Sequence, residues 1–173
     1  LEDKGSRGLV LLINSPGGSP VQAGIINDEI TRLKALHNKP VYVVVEDTCA
    51  SAAYYVAAAA DRISLDPQGD VTLAGFALRR TYLKGTLDKL GIGFQELRYF
   101  PYKSAVEVYA RDEMSPGDRE QRARVVDVLY EEVRDGICAG RRLAPARFDS
   151  LVDGPALLSA AEAVAAGLAD TLA

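Results

Sequence analysis

The sequence predicts an α/β fold in which a mostly parallel sheet is flanked by helices. Two continuously apolar runs, residues 9–13 and 41–45, are bounded by turn residues and are typical of strands buried on both faces. Between them, apolar residues recur at helical spacing over residues 21–37. A strand, a helix and a second strand in this order predict a parallel crossover unit.

The elements after the second strand are shorter, except for one long helix near the end. Ser115 has the position of an N-cap for this helix, with Pro116 at its first turn and Asp118 close behind. The predicted order after residue 45 is a loop at 46–51, a small-residue helix at 52–60, a strand at 62–65, a turn at 67–70, a helix at 78–90, a strand at 94–98, an irregular stretch at 99–114, the long helix from 115, and a short helix at 159–166.

Length and charge narrow the class of protein. A chain of 173 residues suits one domain, so we predict a single domain over residues 1–173. Because no Met begins the chain and a strand follows Leu1 closely, we expect this domain to be part of a longer protein. The net charge of −4 gives no general attraction to phosphate backbones, so no nucleic-acid partner is expected. No apolar run approaches the ~20 residues that a membrane span requires.

The scarcity of histidine and cysteine limits the available chemistry. Cys49 and Cys138 are far apart and lack metal-ligand spacing, so no metal site is expected, and Cys49 is interpreted as ordinary packing beside an Ala-rich helix. His37 is the only histidine and ends the first predicted helix, at the opposite end of the crossover unit from the loops that follow the strands. We therefore interpret His37 as a surface residue favoured by the helix dipole rather than as a catalytic base.

Two loops follow the carboxyl ends of the predicted strands, where open α/β sheets place their sites. The first is Ser-Pro-Gly-Gly at residues 15–18, whose paired glycines leave backbone N–H groups free either for a tight turn or for an oxyanion hole. The second presents Ser51 at the start of the small-residue helix, where its hydroxyl suits an N-cap or a nucleophile. A nucleophilic serine requires a base, and lysine is a recognised alternative to histidine.

A lysine base must be neutral, which favours a lysine in apolar surroundings. Lowering a lysine pKa from ~10.4 to near 7 costs roughly 4–5 kcal/mol of differential solvation. Lys103 differs from the other lysines because it lies within an aromatic and apolar segment, residues 99–106, of irregular backbone pattern. A surface lysine whose stem lies along apolar side chains is the alternative interpretation.

Three motifs in order carry a resemblance to a known family. They are Ser-Pro-Gly-Gly at 15–18, Cys-Ala-Ser-Ala-Ala-Tyr-Tyr at 49–55 and Tyr-Lys-Ser at 102–104. In this order and at these separations they resemble the signal peptide peptidase (protease IV) family of bacterial serine proteases, whose relatives include the Clp protease and crotonase folds. The resemblance extends over nearly the whole chain and implies repeated ββα units around the mostly parallel sheet.

The resemblance also implies roles for individual residues. Ser51 would be the nucleophile and Lys103 the general base of a Ser-Lys dyad, while the N–H groups of Gly18 and Ala52 would hold the oxyanion, with no metal and no cofactor. Two departures are visible. Ala52 and Ala53 stand where family members commonly carry two glycines after the nucleophile, and residues 73–77 lack the serine that helps to orient the lysine in many members.

The resemblance further implies the activity and the setting. We expect a serine endopeptidase that degrades apolar peptides such as cleaved signal peptides, assembled with a homo-oligomeric ring or a tandem partner domain. Attachment to the outer, extracytoplasmic face of the bacterial inner membrane would use a segment outside this chain. One alternative is a non-catalytic or lysine-donating half of a tandem peptidase, in which Ser51 only caps a helix. Another is a crotonase-like acyl-CoA enzyme.

Overall fold

The computed structural model describes residues 1–173, which form two compact units. The sheet unit comprises Leu1–Gly75 and Glu131–Ala173, and the second unit comprises Phe76–Tyr130. The single domain expected over residues 1–173 stays a prediction. In chain order the elements are β1 (Leu9–Ser15), α1 (Pro20–His37), β2 (Val41–Ala50), α2 (Ala52–Ala57), β3 (Arg62–Leu65), β4 (Asp70–Thr72), α3 (Lys84–Lys89), α4 (Glu107–Ala110), α5 (Pro116–Arg141), α6 (Pro145–Val152), β5 (Leu157–Ser159), α7 (Ala160–Ala165) and β6 (Thr171–Leu172).

The sheet is built around β2, which pairs with β1, β3 and β4 in parallel. Strand β6 continues the sheet in parallel beyond β3, and β5 pairs with β4 as the one antiparallel neighbour. This arrangement confirms the mostly parallel α/β sheet. The predicted crossover β1–α1–β2 is also confirmed, with Leu9 opposite Val41 and Ile13 opposite Val45. Because these two strands are parallel neighbours, their carboxyl ends lie at the same edge.

Two expectations about the first strands are wrong. We predicted that residues 9–13 and 41–45 are buried on both faces, but Val10 is 59% exposed, Leu12 68% and Tyr42 41%, so β1 has an open face and β2 is only partly covered on one face. We also predicted a loop at 46–51, whereas β2 continues to Ala50. Pairing with β4 explains the extension, since Cys49 lies opposite Val71 and the Thr48 hydroxyl is 3.1 Å from Asp70 Oδ1. Such tertiary pairing overrides the local polar pattern.

The second unit has less regular structure than the sequence indicates. The helix predicted over 78–90 is present only as α3, because the Leu83 N–H donates to the Val108 carbonyl oxygen (2.7 Å) instead of continuing a helix from residue 78. The strand predicted over 94–98 is absent. Phe94 packs against the ring of Tyr109 at 5.4 Å between centroids, and no other strand of this unit is available to pair with it.

The long helix α5 begins where the sequence indicates. Ser115 Oγ accepts a hydrogen bond from the Asp118 N–H at 3.2 Å, as expected of an N-cap, and Pro116 is the first helical residue. Near the chain end, the helix predicted at 159–166 is confirmed as α7. Five short elements of the chain, α4, α6, β4, β5 and β6, were not predicted. No helix combines the length and the apolar character needed to cross a membrane.

Asp170 ties α5 to the sheet, and its charge should contribute measurably to stability. Its carboxylate accepts the Ile63 N–H (2.7 Å) and two guanidinium N–H groups of Arg141 (3.0 and 3.1 Å). Burial alone raises the pKa of Asp170, but the hydrogen bonds from Arg141 and Ile63 outweigh burial and hold the pKa below its ordinary value. We expect Asp170→Asn to lower the free energy of unfolding by about 1 kcal/mol at pH 7, because charge-assisted hydrogen bonds are lost at a site that solvent partly screens.

The pH dependence of that loss has a definite sign. A depressed folded-state pKa stabilises the protein fully above the unfolded-state value of about 4, and the stabilisation is lost as the pH falls through the folded-state value. Denaturant unfolding of the protein and of Asp170→Asn at pH 7 and near pH 3 measures this. The difference between the two proteins should shrink at the lower pH, and an unchanged difference would contradict the prediction.

Candidate functional site

The two loops that follow β1 and β2 meet in the sheet unit. At Gly17 an added Cβ would lie 3.0 Å from Ser51 Cβ and 3.3 Å from the carbonyl oxygen of Ala50. Gly17 also has a φ of +124°, a conformation that side chains rarely adopt. Glycine is therefore required at residue 17 on two counts, and its absence of a side chain lets the 15–18 loop approach Ser51.

Ser51 has a strained backbone between β2 and α2. Its φ of 53° and ψ of −120° lie outside the regions that L-residues ordinarily populate. Hydrogen bonds on both sides of Ser51 hold this strained conformation. The Ser51 N–H donates to the Thr72 carbonyl oxygen (2.9 Å), and the Ser51 carbonyl oxygen accepts the N–H groups of Tyr54 (3.0 Å) and Tyr55 (3.2 Å). Strained residues at a sharp turn from strand to helix are typical of exposed nucleophiles.

The side chain of Ser51 does not act as a helix cap. The residue occupies the N-cap position of α2, yet its hydroxyl makes no capping hydrogen bond. It is also exposed, although the alanines and tyrosines of the helix behind it are mostly buried. A capping serine gains its stability from the bond to the N2 or N3 amide. Without that bond, the cap interpretation does not account for Ser51, and its hydroxyl is free to react.

The backbone amides expected to form an oxyanion hole are also available. No atom lies within 4 Å of a Cβ added at Gly18, so the loop is open to solvent there. Ala52 is the first residue of α2, whose N–H has no acceptor within the helix. Neither the Gly18 nor the Ala52 N–H donates a hydrogen bond to the protein. Both N–H groups can therefore donate a hydrogen bond to a ligand oxygen.

Lys103 belongs to the second unit, where it lies in irregular backbone between α3 and α4. Its N–H donates to the Phe100 carbonyl oxygen (3.2 Å) in a turn, and its side chain is exposed. The residue that follows it, Ser104, is buried. The structure thus brings the 15–18 loop and Ser51 together in the sheet unit and describes Lys103 within the other unit.

The remaining nucleophile and base candidates are unsuitable. Cys49 is fully buried, and this burial, together with the nearby Asp70, raises the pKa of its thiol to about 12, so the reactive thiolate is scarce at neutral pH. His37 is the last residue of α1 and is partly buried, with no hydrogen-bond partner for Nε2. It therefore lies at the far end of the crossover from Ser51.

Sequence reasoning missed two residues that shape the site. The paired glycines were noticed, but the need for Gly17 beside Ser51 depends on a contact between distant segments. The carbonyl of Thr72, which holds the Ser51 amide, belongs to β4. That strand was not predicted because it has only three residues.

Comparison with known proteins gives consistent matches. The model of peptidase family S49 matches residues 34–173. Protease 4 of Salmonella typhi is 34% identical over 158 residues, which is 88% of this chain and 25% of that protein. The putative signal peptide peptidase SppA of Enterococcus faecium is 28% identical over 177 residues, 99% of this chain and 48% of that protein. The chain therefore spans between a quarter and a half of these relatives.

The fold is matched by a solved structure as well. A ClpP1 mutant from Listeria monocytogenes superposes with a TM-score of 0.66 at 18% sequence identity, covering 97% of this chain and 75% of that chain. At this identity the match concerns the fold alone, and it confirms the Clp-protease-like architecture that the motifs implied.

Proposed function

The chain belongs to peptidase family S49, and from this premise we propose that it is a serine endopeptidase with Ser51 as nucleophile and Lys103 as general base. The observation that carries the proposal is the state of Ser51: a strained, exposed serine at a helix start whose hydroxyl caps nothing. Strain of this kind is kept where it serves a function. The helix-cap alternative predicts the opposite, a relaxed serine bonded to the helix amides.

The proposed reaction proceeds through an acyl-enzyme. Neutral Lys103 Nζ takes the proton of Ser51 Oγ while Oγ bonds to the peptide carbonyl carbon. The carbonyl oxygen becomes an oxyanion and accepts hydrogen bonds from the N–H groups of Gly18 and Ala52, each worth about 2.7–4 kcal/mol in comparable sites. The C–N bond then breaks as lysine returns the proton to the leaving amine. Water, deprotonated by the same lysine, hydrolyses the ester and regenerates Ser51.

The general base requires more shielding than this chain alone provides. Lys103 is exposed, whereas a lysine that is neutral near pH 7 must be removed from water. We therefore propose that a second subunit or a tandem partner domain covers Lys103, so that each dyad combines serine and lysine from neighbouring copies. Two such domains, on separate subunits or in tandem on one chain, are then the smallest active species.

The substrates we propose are apolar peptides, including the remnants of cleaved signal peptides. The name of the Enterococcus faecium relative supports this class of substrate.

We further propose that the protein works at the extracytoplasmic face of the bacterial inner membrane, attached through a segment outside this chain. Cell fractionation of the full-length protein tests whether it is found with the inner membrane.

The nucleophile can be tested directly with a fluorophosphonate, which forms a covalent bond only with an activated serine. We expect the reagent to modify Ser51 in the assembled protein, as identified by mass spectrometry of the digested chain. Ser19 is the internal control. It is also an exposed N-cap without a capping hydrogen bond, but its φ of −71° is relaxed, so it should stay unmodified. Equal labelling of both serines, or no labelling of the folded assembly, would refute Ser51 as nucleophile.

A further inference from the structure

Buried polar side chains are concentrated around the segment that carries Lys103. The chain buries five polar or charged side chains, and four of them lie within residues 104–118. The most relevant are Ser104, which is 5% exposed, and Asp118, which is 1% exposed. Burying a charge in a small unit is unfavourable unless it is paired and hydrogen-bonded. The partners of Asp118 therefore show what this burial achieves.

Asp118 binds the residue next to Lys103. Its Oδ1 accepts the hydroxyl of Ser104 at 2.7 Å and lies 3.2 Å from Nη1 of Arg80. Nε of Arg122 donates to both oxygens of the carboxylate at 2.9 Å. Tyr82 lies close enough for the charge of Asp118 to raise the pKa of its phenol, although burial is the larger cause.

Arg80 connects the same carboxylate to the backbone that follows Lys103. Its Nη2 donates to the carbonyl oxygens of Ser104 (2.6 Å) and Ala105 (3.1 Å) while Nη1 bonds to Asp118. Two consecutive carbonyl groups and one side chain directly after Lys103 are thus attached to a buried ion pair. The planar guanidinium presents its N–H donors in a rigid fork, so it fixes the geometry of these acceptors more firmly than an ammonium group on a flexible stem would.

Stability does not explain this arrangement well. A buried ion pair is often no more stabilising than apolar side chains of the same volume, so a role in fixing geometry explains it better than a gain in stability. Lys103 needs such fixing, because it lies in irregular backbone and has a long, flexible side chain. The hydroxyl expected at residues 73–77 to orient the lysine is also missing from the sequence.

We propose that Asp118, Arg80 and Ser104 are positioning residues that hold the backbone of Lys103 in place for proton transfer. The proposal rests on the proposed function of Lys103 as general base. None of the three touches the reacting atoms in this proposal. They act through the segment that bears the lysine, and losing them lets the Lys103 amine leave the position that the partner subunit or domain covers.

Two variants separate positioning from a simple electrostatic effect. Ser104→Ala removes one hydrogen bond and no charge, and Asp118→Asn removes the charge with little change in shape. If positioning is correct, both lower kcat on an apolar peptide by about 10- to 100-fold and leave KM within about twofold. In both, the acidic limb of the pH–rate profile moves to higher pH, because a lysine released into water returns toward its ordinary pKa.

An electrostatic effect alone gives a different pattern and would overturn the proposal. Loss of the negative charge in Asp118→Asn would favour the neutral lysine, so the acidic limb would move to lower pH, while Ser104→Ala would leave it unchanged. Should Ser104→Ala fail to fold, Arg80→Lys takes its place. It keeps the charge but not the bridge, and the proposal requires a lower kcat and a limb at higher pH.

Glu107→Gln is the matched control for loss of stability. Glu107 is fully buried, paired with Arg98 at 2.9 Å and adjacent to Asp118, but its carboxylate bonds neither to the Ser104 hydroxyl nor to the carbonyl oxygens of Ser104 and Ala105. Burial raises the pKa of Glu107, but its hydrogen bonds with Ser115, Arg98 and Asp118 together outweigh burial and hold the pKa below its usual value, so the carboxylate is charged at neutral pH. The thermal midpoint of each variant shows whether the variants being compared have lost the same amount of stability. A kcat loss and limb shift in Glu107→Gln equal to those in Ser104→Ala would show a merely structural role and refute positioning.

Failure of this inference is distinguishable from failure of the proposed function. An inactive wild-type assembly, or an active Lys103→Ala, refutes Lys103 as general base and the positioning proposal with it. If Lys103→Ala is inactive while Ser104→Ala and Asp118→Asn keep the wild-type kcat and pH profile, the dyad stands and only the positioning role is overturned.

Discussion

Replacing either member of the proposed dyad should abolish peptidase activity. We expect Ser51→Ala and Lys103→Ala each to lower kcat/KM on an apolar peptide by at least about 10³-fold, because serine is a poor nucleophile without its base and the base is useless without the serine. The double variant should be no worse than either single one, since residues that act as a unit are not additive. Hydrolysis of a fluorogenic peptide measures all three.

Mixing the two single variants tests how the dyad is assembled. If serine and lysine come from neighbouring copies, a ring formed at random contains intact pairs at about one quarter of its interfaces. Activity should then rise from background to about one quarter of the wild-type value after the variants are unfolded and reassembled together. The unmixed variants, treated in the same way, are the control.

Two outcomes contradict this scheme in different ways. If the mixture stays inactive while the wild type is active, the dyad forms within one copy. Full turnover by Ser51→Ala would instead show that Ser51 is not the nucleophile. An inactive wild-type assembly that restores activity to a second, serine-bearing domain would favour the lysine-donating half of a tandem peptidase.

The sequence predicts the crossover β1–α1–β2 well because its signals are local. Apolar runs and helical spacing are properties of neighbouring residues, and they place the 15–18 loop and Ser51 at one edge of the sheet. The extent of β2 and the existence of β4 depend on pairing between Thr48 and Asp70 and their neighbours, which the local pattern does not contain. For the same reason, the open face of β1 was mistaken for a buried one.

The same distinction between local signals and long-range contacts applies to the candidate site. Ordered motifs predict Ser51 and Lys103 as site residues, and paired glycines predict the 15–18 loop. The bonds that link Asp118 to Ser104 join residues 14 positions apart through irregular backbone, where no periodicity operates. From sequence alone, Asp118 was only an acid in the first turn of a helix, which is its ordinary role near a helix N-terminus.

The largest stability loss is expected from a single methyl group on α5. A Cβ at Gly140 would collide with the carbonyl oxygen of Ala58, just after α2, and would press on backbone that has no freedom to rotate away. We expect Gly140→Ala to lower the free energy of unfolding by about 2 kcal/mol or more, even though alanine gains about 1 kcal/mol of helix propensity over glycine. Its thermal midpoint should fall by roughly 4–8 °C.

Two other helical glycines make this prediction specific. Gly85 lies in α3 with nothing within 4 Å of an added Cβ, so Gly85→Ala should be neutral or stabilise the protein by up to about 1 kcal/mol. At Gly136 the Cβ would lie 2.6 Å from the Tyr55 ring, a side chain that can shift, so Gly136→Ala should destabilise less than Gly140→Ala. Calorimetry of the three variants measures their thermal midpoints and so tests this order of stability. If Gly140→Ala melts at or above the wild-type temperature, the close approach of α5 to the backbone after α2 is refuted.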